Sequence, residues 1–365
     1  MQPIRVLHIV TYMGRGGLET MLMNYYRHID RTKVQFDFLV HRDFEADYDA
    51  EILSLGGKIH HVSRLVPWSK SYQNELRTFF KAHPEYRIVH VHQDCLSSVA
   101  LKVAKECGVP VRIAHSHSSS ADKNLKYWIK RYYMKKISKY ATDLFACGKK
   151  AGDWMFGGKK YQIVRNAIDA KRYTYSMATA EKVRTSLNLH DELVVGHVGR
   201  FNPPKNHTFL IDIFYEIQKI NPSARLLLVG DGDGKKEIQE KARELGIADH
   251  IIFAGVRTDV EELMQAMDVF VFPSLYEGLP VTMVEAQAAG LPCIISDQVP
   301  EECIITTNLV TTQKLTDSPK IWAEHILWRA KNTRTDHYDE IKSHGYDIEE
   351  AAKWLQNYYI AHSGE

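Results

Sequence analysis

The stretch VFVFPSLYEGLPVTMVE, residues 269–285, gives the clearest indication of the fold. It opens with the apolar run Val269–Phe272, whose length is typical of a strand buried on both faces. A turn follows, and Pro280 suits a helix start because the first helical residue needs no N–H. The N–H groups of residues 281–283 are then left unpaired and favour an anion. The stretch therefore predicts a strand, a turn and an anion-binding helix start in succession.

Strands alternate with helical segments on both sides of this stretch. The predicted strands are Ile4–Val10, Val34–Val40, Ile88–His92, Val111–Ala114 and Asp143–Ala146, then Leu193–Val198, Ala224–Val229, Ile251–Phe253, Val269–Phe272 and Pro292–Ser296. Such alternation is typical of parallel sheets with helices on both faces. The two sets are separated by a poorly patterned stretch at 166–185, which we expect to be a linker. The fold class predicted is α/β, with two Rossmann-like domains.

Charge is divided unevenly along the 365 residues, although the net charge is only +2. Residues 1–170 contain 27 basic and 16 acidic side chains, a net of +11, whereas residues 171–365 contain 20 and 29, a net of −9. With 44% apolar and 25% charged residues, the composition excludes a disordered chain. No apolar run is long enough for a membrane span, and no signal peptide or CxxC pair is found. We therefore expect a cytoplasmic protein.

A glycine-rich loop, Gly14-Arg15-Gly16-Gly17-Leu18-Glu19, joins the first strand to the first helix. Glycines let backbone amides approach a phosphate, and a helix start adds positive potential. The order differs from GxGxxG, so a tight turn without a ligand is an equal alternative.

Two HxH elements lie on consecutive strands of the first half. His90 and His92 share one strand face, and His115 and His117 share another. His90, His92 and Asp94 resemble the HxHxD metal motif of some hydrolases, whereas buried, hydrogen-bonded histidines are the alternative. We favour that alternative for His90 and His115. His117, just past a strand end, is the best candidate for function.

Two cations follow the first strand of the second half. Arg200 and Lys205 lie in the loop Gly199-Arg200-Phe201-Asn202-Pro203-Pro204-Lys205, which its prolines stiffen. Arginine binds two phosphate oxygens in a fork, and lysine supplies a point charge. The pair could neutralise a diphosphate without a metal. The alternative is two solvated surface cations.

Two carboxylates flank the helix start at Val281. Glu277 precedes the turn, and Glu285 lies in the helix eight residues later. Both could accept hydrogen bonds from sugar hydroxyls beside a bound anion. The alternative is one capping acid and one surface glutamate.

A basic segment spans residues 123–160. It contains Lys123, Lys126, Lys130, Arg131, Lys135, Lys136, Lys139, Lys149, Lys150, Lys159 and Lys160, with aromatic residues among the first of them. A basic amphipathic helix of this kind can lie on an anionic membrane. A core-facing apolar stripe with a solvated cationic back is the alternative. Nucleic acid is not expected as a partner, because no nucleic-acid motif is present and the second half is acidic.

Together these motifs resemble the family-4 retaining glycosyltransferases of the GT-B fold, and more narrowly the branch that builds bacterial exopolysaccharide or capsular polysaccharide. The matching elements are Gly16-Gly17-Leu18-Glu19, Ala114-His115-Ser116-His117, Val164-Arg165-Asn166-Ala167-Ile168-Asp169, Gly199-Arg200 with Lys205, Leu228-Val229-Gly230-Asp231-Gly232, and Glu277 with Glu285. The resemblance implies two domains facing each other across a cleft. Residues 1–170 with 346–365 would form the acceptor domain, whose last helix returns to it. Residues 171–345 would form the donor domain.

The resemblance also implies roles for individual residues. Arg200 and Lys205 would hold the diphosphate of a nucleotide-sugar, most simply a UDP-sugar, and His117 would lie beside the reacting sugar. The amides of Val281, Thr282 and Met283 would assist, as would Gly16 and Gly17. Glu285 would bind the ribose, Glu277 the transferred hexose or N-acetylhexosamine, and Val256 and Arg257 the base. The reaction would retain anomeric configuration and need no metal or other cofactor.

A lipid-linked saccharide would be the acceptor, and the membrane face would include Lys126, Lys130, Arg131, Lys135 and Lys136. The enzyme would then be peripheral on the inner face of the plasma membrane. Two departures from the family stand out, because many relatives have glycine where this chain has Asn206 and Ala167. Two other functions stay open, namely a metal-dependent hydrolase using His90, His92 and Asp94, and a non-catalytic partner subunit with the same fold.

Overall fold

The computed structural model describes residues 2–118 and 125–364, and the side chains of all of these except Leu125 and Lys126. Contacts divide the chain into two compact units. Unit 1 comprises Met1–Ala167 with Asp347–Glu365, and unit 2 comprises Ile168–Tyr346. The sequence placed these boundaries at 170/171 and 345/346.

Unit 1 is built on a parallel sheet with strand order β3-β2-β1-β4-β5-β6-β7. Its strands are β1 (Ile4–Ile9), β2 (Val34–Val40), β3 (Ile59–His61), β4 (Ile88–Val91), β5 (Val111–Ser116), β6 (Asp143–Ala146) and β7 (Gln162–Ile163). Its helices are α1 (Gly17–His28), α2 (Asp49–Ser54), α3 (Lys70–Ala82), α4 (Ser97–Glu106), α5 (Leu125–Met134), α6 (Ile137–Tyr140) and α7 (Lys149–Phe156). The strand order reverses between β1 and β4, which makes this pair the switch point of the sheet.

Unit 2 is built on a second parallel sheet, with strand order β10-β9-β8-β11-β12-β13. Its strands are β8 (Val194–Val198), β9 (Arg225–Val229), β10 (Ile251–Gly255), β11 (Val269–Phe272), β12 (Cys293–Ser296) and β13 (Val310–Gln313). Its helices are α8 (Ala170–Tyr173), α9 (Met177–Ser186), α10 (His207–Ile220), α11 (Lys235–Glu244), α12 (Val260–Gln265), α13 (Val281–Ala288), α14 (Pro319–Arg329) and α15 (Tyr338–Ser343). Here the order reverses between β8 and β11.

Both faces of the second sheet are covered, as the unbroken apolar strands predicted. Along β11, Phe270 and Phe272 belong to one buried cluster, whereas Val269 and Val271 belong to another. Successive strand residues point to opposite faces, so the two clusters lie on the two sides of the sheet. The α/β fold class predicted from the alternation is confirmed.

The linker predicted at residues 166–185 contains the change of unit, but it is not an irregular stretch, because α8 and α9 occupy most of it. Helix α9 buries only Ala180 and Val183. Its apolar face is therefore small and leaves a weak periodic pattern in the sequence. The change of unit falls just before α8, at Ala167.

The last helix, α16 (Ile348–His362), packs into the core of unit 1. Its residues Ile348, Ala352, Leu355 and Tyr359 are buried in one cluster with residues of α1 and β2. The Tyr359 hydroxyl lies 2.7 Å from His90 Nδ1. Helix α16 is thus an integral part of a unit whose other residues end at Ala167.

Removing the Tyr359 ring should destabilise unit 1 strongly. We expect Tyr359→Ala to lower the free energy of unfolding by about 3–5 kcal/mol, because the ring is fully buried. Tyr359→Phe should cost about 1–3 kcal/mol, since it leaves His90 without its hydroxyl partner. Urea unfolding followed by circular dichroism measures both. Ile360→Ala on the exposed side of the same helix is the control, with an expected change within about 0.5 kcal/mol. A Tyr359→Ala midpoint equal to that of the control would contradict the packing role of α16.

Candidate active site

The loops that follow β8 and β11 meet at the switch point of unit 2. These strands pair in parallel, so their carboxyl ends lie at the same edge of the sheet. Two hydrogen bonds join the loops, from Leu275 N to Pro204 O at 2.8 Å and from Asn206 Nδ2 to Pro273 O at 3.1 Å. The Arg200/Lys205 loop and the Glu277 turn therefore form one connected structure.

Asn206 lies at the position where the family resemblance led us to expect a glycine. Its backbone lies in the left-handed region, with φ 55° and ψ 42°. Asparagine tolerates this conformation better than most residues. Its side-chain amide also holds the neighbouring loop, so the residue replaces backbone freedom with a specific contact.

Lys205 and Glu277 form an ion pair at the centre of these loops. Lys205 Nζ lies 2.6 Å from Glu277 Oε1 and 4.6 Å from the centroid of the Phe272 ring. The side chains are only 17% and 11% exposed, so water screens the pair weakly. The cation and the carboxylate are therefore held in place, each with part of its hydrogen-bonding capacity free.

Arg200 differs from Lys205 because its side chain is exposed. Among the residues that the structure describes, no side chain pairs with its guanidinium. The backbone around it is fixed by hydrogen bonds from Phe201 N to Asp231 O and from Gly234 N to Phe201 O. A free guanidinium on a fixed loop is suited to an anionic ligand.

The Gly230-Asp231-Gly232 turn packs against the backbone of the Arg200/Lys205 loop. A Cβ atom at Gly230 would lie 2.2 Å from Gly199 O, and one at Gly232 would lie 2.5 Å from Phe201 O. Both glycines have positive φ angles. The motif is a turn between β9 and α11, and its glycines allow the two backbones to touch.

Helix α13 begins at Val281 without a side-chain cap. The preceding residue, Pro280, has no side-chain acceptor, but its carbonyl oxygen accepts a hydrogen bond from Met283 N at 3.2 Å, which leaves the N–H groups of Val281 and Thr282. Thr282 is half-buried, while Val281 and Met283 are buried. The helix start thus combines free backbone donors with a dry surrounding.

Glu285 is buried about one turn into α13 and is 7% exposed. Burial raises the pKa of its carboxyl to about 7, with nearby Glu261 acting in the same direction and a hydrogen bond from Tyr173 opposing it. Burial and Glu285 together raise the pKa of the Tyr173 phenol. The carboxyl is therefore poised between its two protonation states near neutral pH. Tyr173 was missed by the sequence analysis, since it lies in the stretch taken as a linker.

Two buried histidines near Lys205 were also missed. The rings of His197 in β8 and His207 in α10 have centroids 4.7 Å apart. Burial lowers the pKa of His207 to about 4, assisted by Lys205, and burial also lowers the pKa of His197, assisted by His207. Both rings are therefore neutral beside the lysine. In the sequence, the only sign of His197 was that a polar residue interrupts the apolar run before Gly199.

The two residues expected at the nucleotide base lie past β10. Val256 is 58% exposed. Arg257 is also exposed and forms a bidentate ion pair with Asp259, with Nη2 to Oδ2 at 2.6 Å. The guanidinium is thus already paired, unlike that of Arg200.

Five histidines of unit 1 form a connected cluster at its own switch point. They come from β1, β4 and β5 and from the residues just after β4 and β5, and they are His8, His90, His92, His115 and His117. One series runs from His117 Nε2 to His92 Nδ1 at 2.9 Å and from His92 Nε2 to His8 Nδ1 at 3.1 Å. A second runs from His115 Nδ1 to His90 Nε2 at 3.1 Å and on to Tyr359.

These histidines are neutral at physiological pH. Burial lowers the pKa of His8 and of His117 to about 3. Burial also lowers the pKa values of His90, His92 and His115 well below the usual range, and the neighbouring rings act in the same direction. His90 is buried and hydrogen-bonded through both ring nitrogens, as predicted. His115 is buried too, and its Nε2 atom forms no hydrogen bond of good geometry among the described residues, although a contact with the Val164 backbone opposes the lowering of its pKa.

Asp94 does not join His90 and His92. Its carboxylate accepts hydrogen bonds from His117 N at 3.3 Å and Ser118 Oγ at 2.9 Å. Burial raises the pKa of this carboxyl. The His90-His92-Asp94 metal cluster considered from the sequence is therefore wrong for the described residues.

The glycine loop of unit 1 precedes α1. A Cβ atom at Gly16 would lie 2.3 Å from Glu19 Oε2, whereas one at Gly17 would meet nothing within 4 Å. Burial raises the pKa of the Glu19 carboxyl, which also accepts a bond from its own N–H. The start of α1 therefore has the Glu19 carboxyl group beside Gly16 and open space beside Gly17.

Helix α5 carries most of the predicted membrane residues. Lys130, Arg131 and Lys136 are half-buried and Lys135 is exposed. Trp128 is 73% and Tyr132 is 57% exposed, one helical turn apart. The Lys126 side chain lies outside the described part, and Lys123 lies outside the described residues. Aromatic and basic side chains are thus presented to solvent together.

Within residues 2–118 and 125–364, no helix has both the length and the apolarity that a membrane-spanning segment needs.

Comparison with known proteins covers both units. Residues 15–172 match the family Glycosyltransferase Family 4, and residues 179–346 match Glycosyl transferases group 1. EpsF of Bacillus subtilis (strain 168) is 37% identical over 369 residues, which cover 97% of this chain and 96% of EpsF. The UDP-Gal:alpha-D-GlcNAc-diphosphoundecaprenol alpha-1,3-galactosyltransferase of Escherichia coli is 26% identical over 236 residues, 60% of each protein.

The fold is shared with a solved structure. The crystal structure of Anabaena HepE in complex with UDP and glucose matches 99% of both chains with a TM-score of 0.77 and 18% identity. The two parallel sheets, their strand orders and this likeness confirm the GT-B fold that the motifs predicted. With both halves matched by family descriptions and one relative similar over nearly its whole length, the chain belongs to the family 4 glycosyltransferases.

Proposed function

We propose that this glycosyltransferase moves a hexose or N-acetylhexosamine from a UDP-sugar to a lipid-linked saccharide in the synthesis of a cell-surface polysaccharide. The transfer would retain anomeric configuration and need no metal. One observation carries the proposal: the free Arg200 guanidinium and the Lys205–Glu277 ion pair lie on two hydrogen-bonded loops at one sheet edge.

The donor diphosphate is assigned to the cations and the helix start of unit 2. Arg200 can bind two phosphate oxygens in a fork, and Lys205 can bridge Glu277 and a phosphate oxygen. The N–H groups of Val281 and Thr282 add further donors from a helix start without a side-chain cap, and that of Met283 adds one that is shared with Pro280 O at 3.2 Å. Charge on the leaving diphosphate grows during transfer, so these fixed groups stabilise the transition state more than the ground state.

The two carboxylates are assigned to hydroxyl groups of the donor. Glu277 uses Oε1 on Lys205, which leaves Oε2 for a hydroxyl of the transferred sugar. Glu285 is assigned to the ribose, since a buried carboxylate gains most from accepting two hydroxyl bonds. Val256 and Arg257 are assigned to the base. Gly16 and Gly17 are assigned to the diphosphate because Gly17 has open space beside it.

The chemistry needs one bond broken and one formed on the same sugar face. The bond from the anomeric carbon to the diphosphate oxygen breaks, and the acceptor hydroxyl oxygen bonds to that carbon. The hydroxyl proton passes to the departing diphosphate, which leaves as UDP. His117 is assigned to the reacting sugar, where its neutral ring can form a hydrogen bond without adding positive charge.

The acceptor assignment has two supports. The Escherichia coli relative is named for a UDP-Gal donor and a diphosphoundecaprenol-linked acceptor. In this chain, α5 exposes Trp128 and Tyr132 beside basic residues, which suits the interface of an anionic bilayer. We therefore place the enzyme at the inner face of the plasma membrane, where such acceptors are reached from the cytoplasm.

Nucleotide-sugar specificity can be tested with purified protein. We expect UDP-sugars, rather than GDP- or TDP-sugars, to raise the melting temperature, because a ligand that binds the folded state stabilises it. The best UDP-sugar should then be turned over, and Arg200→Ala should lower kcat by roughly 100- to 1000-fold. Glu285→Ala should abolish transfer. Arg243→Ala, an exposed cation of unit 2, is the control with unchanged turnover. Full activity in Glu285→Ala, or ligand binding without any turnover, would defeat the proposal, the latter in favour of a non-catalytic partner.

Binding of the UDP-sugar should depend on pH through Glu285. Its folded-state pKa of about 7 is raised by burial, and ribose hydroxyls bind the ionised carboxylate. Protonation therefore competes with binding below pH 7, and affinity should rise roughly tenfold between pH 6 and pH 8. Calorimetric titration with the intact UDP-sugar measures this, since its diphosphate diester does not titrate in that range. Glu285→Gln should bind more weakly and with a flat profile. An unchanged slope in that variant would remove Glu285 from the ribose site.

Membrane association can be tested by liposome sedimentation. We expect binding to vesicles that contain phosphatidylglycerol, little binding to phosphatidylcholine alone, and weakening by salt. Removing four charges of α5 and its end should weaken binding by 100-fold or more, at about 1 kcal/mol for each cation. That variant replaces Lys130, Arg131, Lys135 and Lys136 with alanine. The matched control replaces four exposed cations of the same unit, Lys58, Arg64, Lys70 and Lys81. Equal loss in both would mean that net charge, and not α5, governs binding.

A further inference from the structure

Three histidines of unit 1 bring ring nitrogens together at one point. His92, His115 and His117 each offer one nitrogen, and these three atoms all lie within 4.8 Å of one another. His92 follows β4 and His117 follows β5, while His115 lies in β5. Strands β4 and β5 pair in parallel, so the convergence is a result of the sheet register.

The separation of the His92 and His117 nitrogens is compatible with a tetrahedral ion. Two imidazole nitrogens bound to zinc at about 2.0–2.1 Å lie about 3.3 Å apart in tetrahedral geometry. His92 Nδ1 and His117 Nε2 are 2.9 Å apart, so a small separation of the rings admits the ion. His115 Nε2 is buried and forms no hydrogen bond of good geometry among the described residues. A bound ion would compete there only with a contact to the Val164 backbone.

The surrounding hydrogen bonds fit the same arrangement. If His92 binds the ion through Nδ1, its Nε2–H donates to His8 Nδ1 at 3.1 Å. If His115 binds through Nε2, its Nδ1–H donates to His90 Nε2, also at 3.1 Å. The protons of His92 and His115 then point away from the ion, whereas His117 Nδ1 and His8 Nε2 have no hydrogen-bond partner among the described residues. Outer partners of this kind orient ligating imidazoles in metal proteins.

Access and ligand chemistry limit the choice of ion. His92 and His115 are 4% and 1% exposed, whereas His117 is only half-buried and leaves an approach from solvent. The ligands are imidazoles, and the nearby Asp94 carboxylate is occupied by His117 N and Ser118 Oγ. Imidazole sites favour zinc, copper or nickel over magnesium and calcium.

We propose that His92, His115 and His117 form a zinc site with one open coordination position, and that zinc bound there inhibits sugar transfer. The inhibition rests on the proposed function, in which His117 contacts the reacting sugar. Positive charge develops at the anomeric carbon during glycosyl transfer, so a dication at His117 opposes it. Zinc binding itself does not depend on that role.

Binding is tested on the untagged full chain after removal of metals with a chelator. We expect one zinc per chain by elemental analysis after dialysis, and Co²⁺ should give the visible absorption of a tetrahedral nitrogen site. His117→Ala and His115→Asn should each weaken zinc binding by more than the roughly 100-fold that loss of an outer partner costs. His61→Gln, an exposed histidine of the same unit, is the matched control with unchanged affinity.

Inhibition is measured as UDP-sugar turnover against zinc concentration, each variant being compared with its own metal-free rate. Half-inhibition should occur at the zinc concentration that half-fills the site, and a chelator should restore the rate. Absence of stoichiometric zinc, or equal affinity in His117→Ala and the control, would overturn the site. Zinc that binds without slowing turnover would overturn the inhibition. Zinc bound by a protein with no turnover at all would uphold the site while defeating the proposed function.

Discussion

The reversal of strand order in each parallel sheet is the constraint on which the described sites depend. Helices that cross in opposite directions leave a gap beyond the carboxyl ends of the two central strands. In unit 2 that gap receives the loops after β8 and β11, with Arg200, Lys205 and Glu277. In unit 1 it receives the histidine cluster from β1, β4 and β5. The strand order of each sheet thus determines where the candidate site of that unit lies, and the side chains determine what the site can bind.

The two cations of unit 2 solve different electrostatic problems. Lys205 is largely shielded from water and would be costly to bury alone, so Glu277 and the face of Phe272 stabilise it. Arg200 is exposed, and water stabilises its charge until a ligand arrives. Lys205 therefore contributes a fixed position, and Arg200 contributes a positive charge that no described side chain neutralises. A site with two free cations would be more strongly anion-binding but less well ordered.

Local signals in the sequence predicted much of the fold. The bounds of Val269–Phe272 and Asp143–Ala146 agree with the structure, because their apolar runs and the turn residues beside them fix them locally. Helix α9 was lost because two small buried side chains give little periodicity. Assigning α16 to the first unit needed the family resemblance, since nothing in its own residues names its partner.

The candidate sites were predictable only where they follow a strand closely. Arg200 and Glu277 could be found in this way, although their roles stay predictions. His8 and Tyr173 could not, because their importance comes from neighbours far along the chain. His8 meets His92 only because β1 lies beside β4, and Tyr173 meets Glu285 across more than a hundred residues. Contacts of this kind depend on how the strands and helices are arranged in the fold, so a short stretch of sequence does not reveal them.

The return of α16 to unit 1 has a consequence for synthesis on the ribosome. The buried face of α1 and β2 is completed by Ile348, Leu355 and Tyr359. These residues emerge after all of unit 2, which is continuous from Ile168 to Tyr346. Because domains fold as their residues emerge, unit 2 can fold before unit 1 is complete. Unit 1 therefore exposes an apolar groove until α16 has been synthesised. A chaperone that binds apolar surfaces can cover this groove during translation.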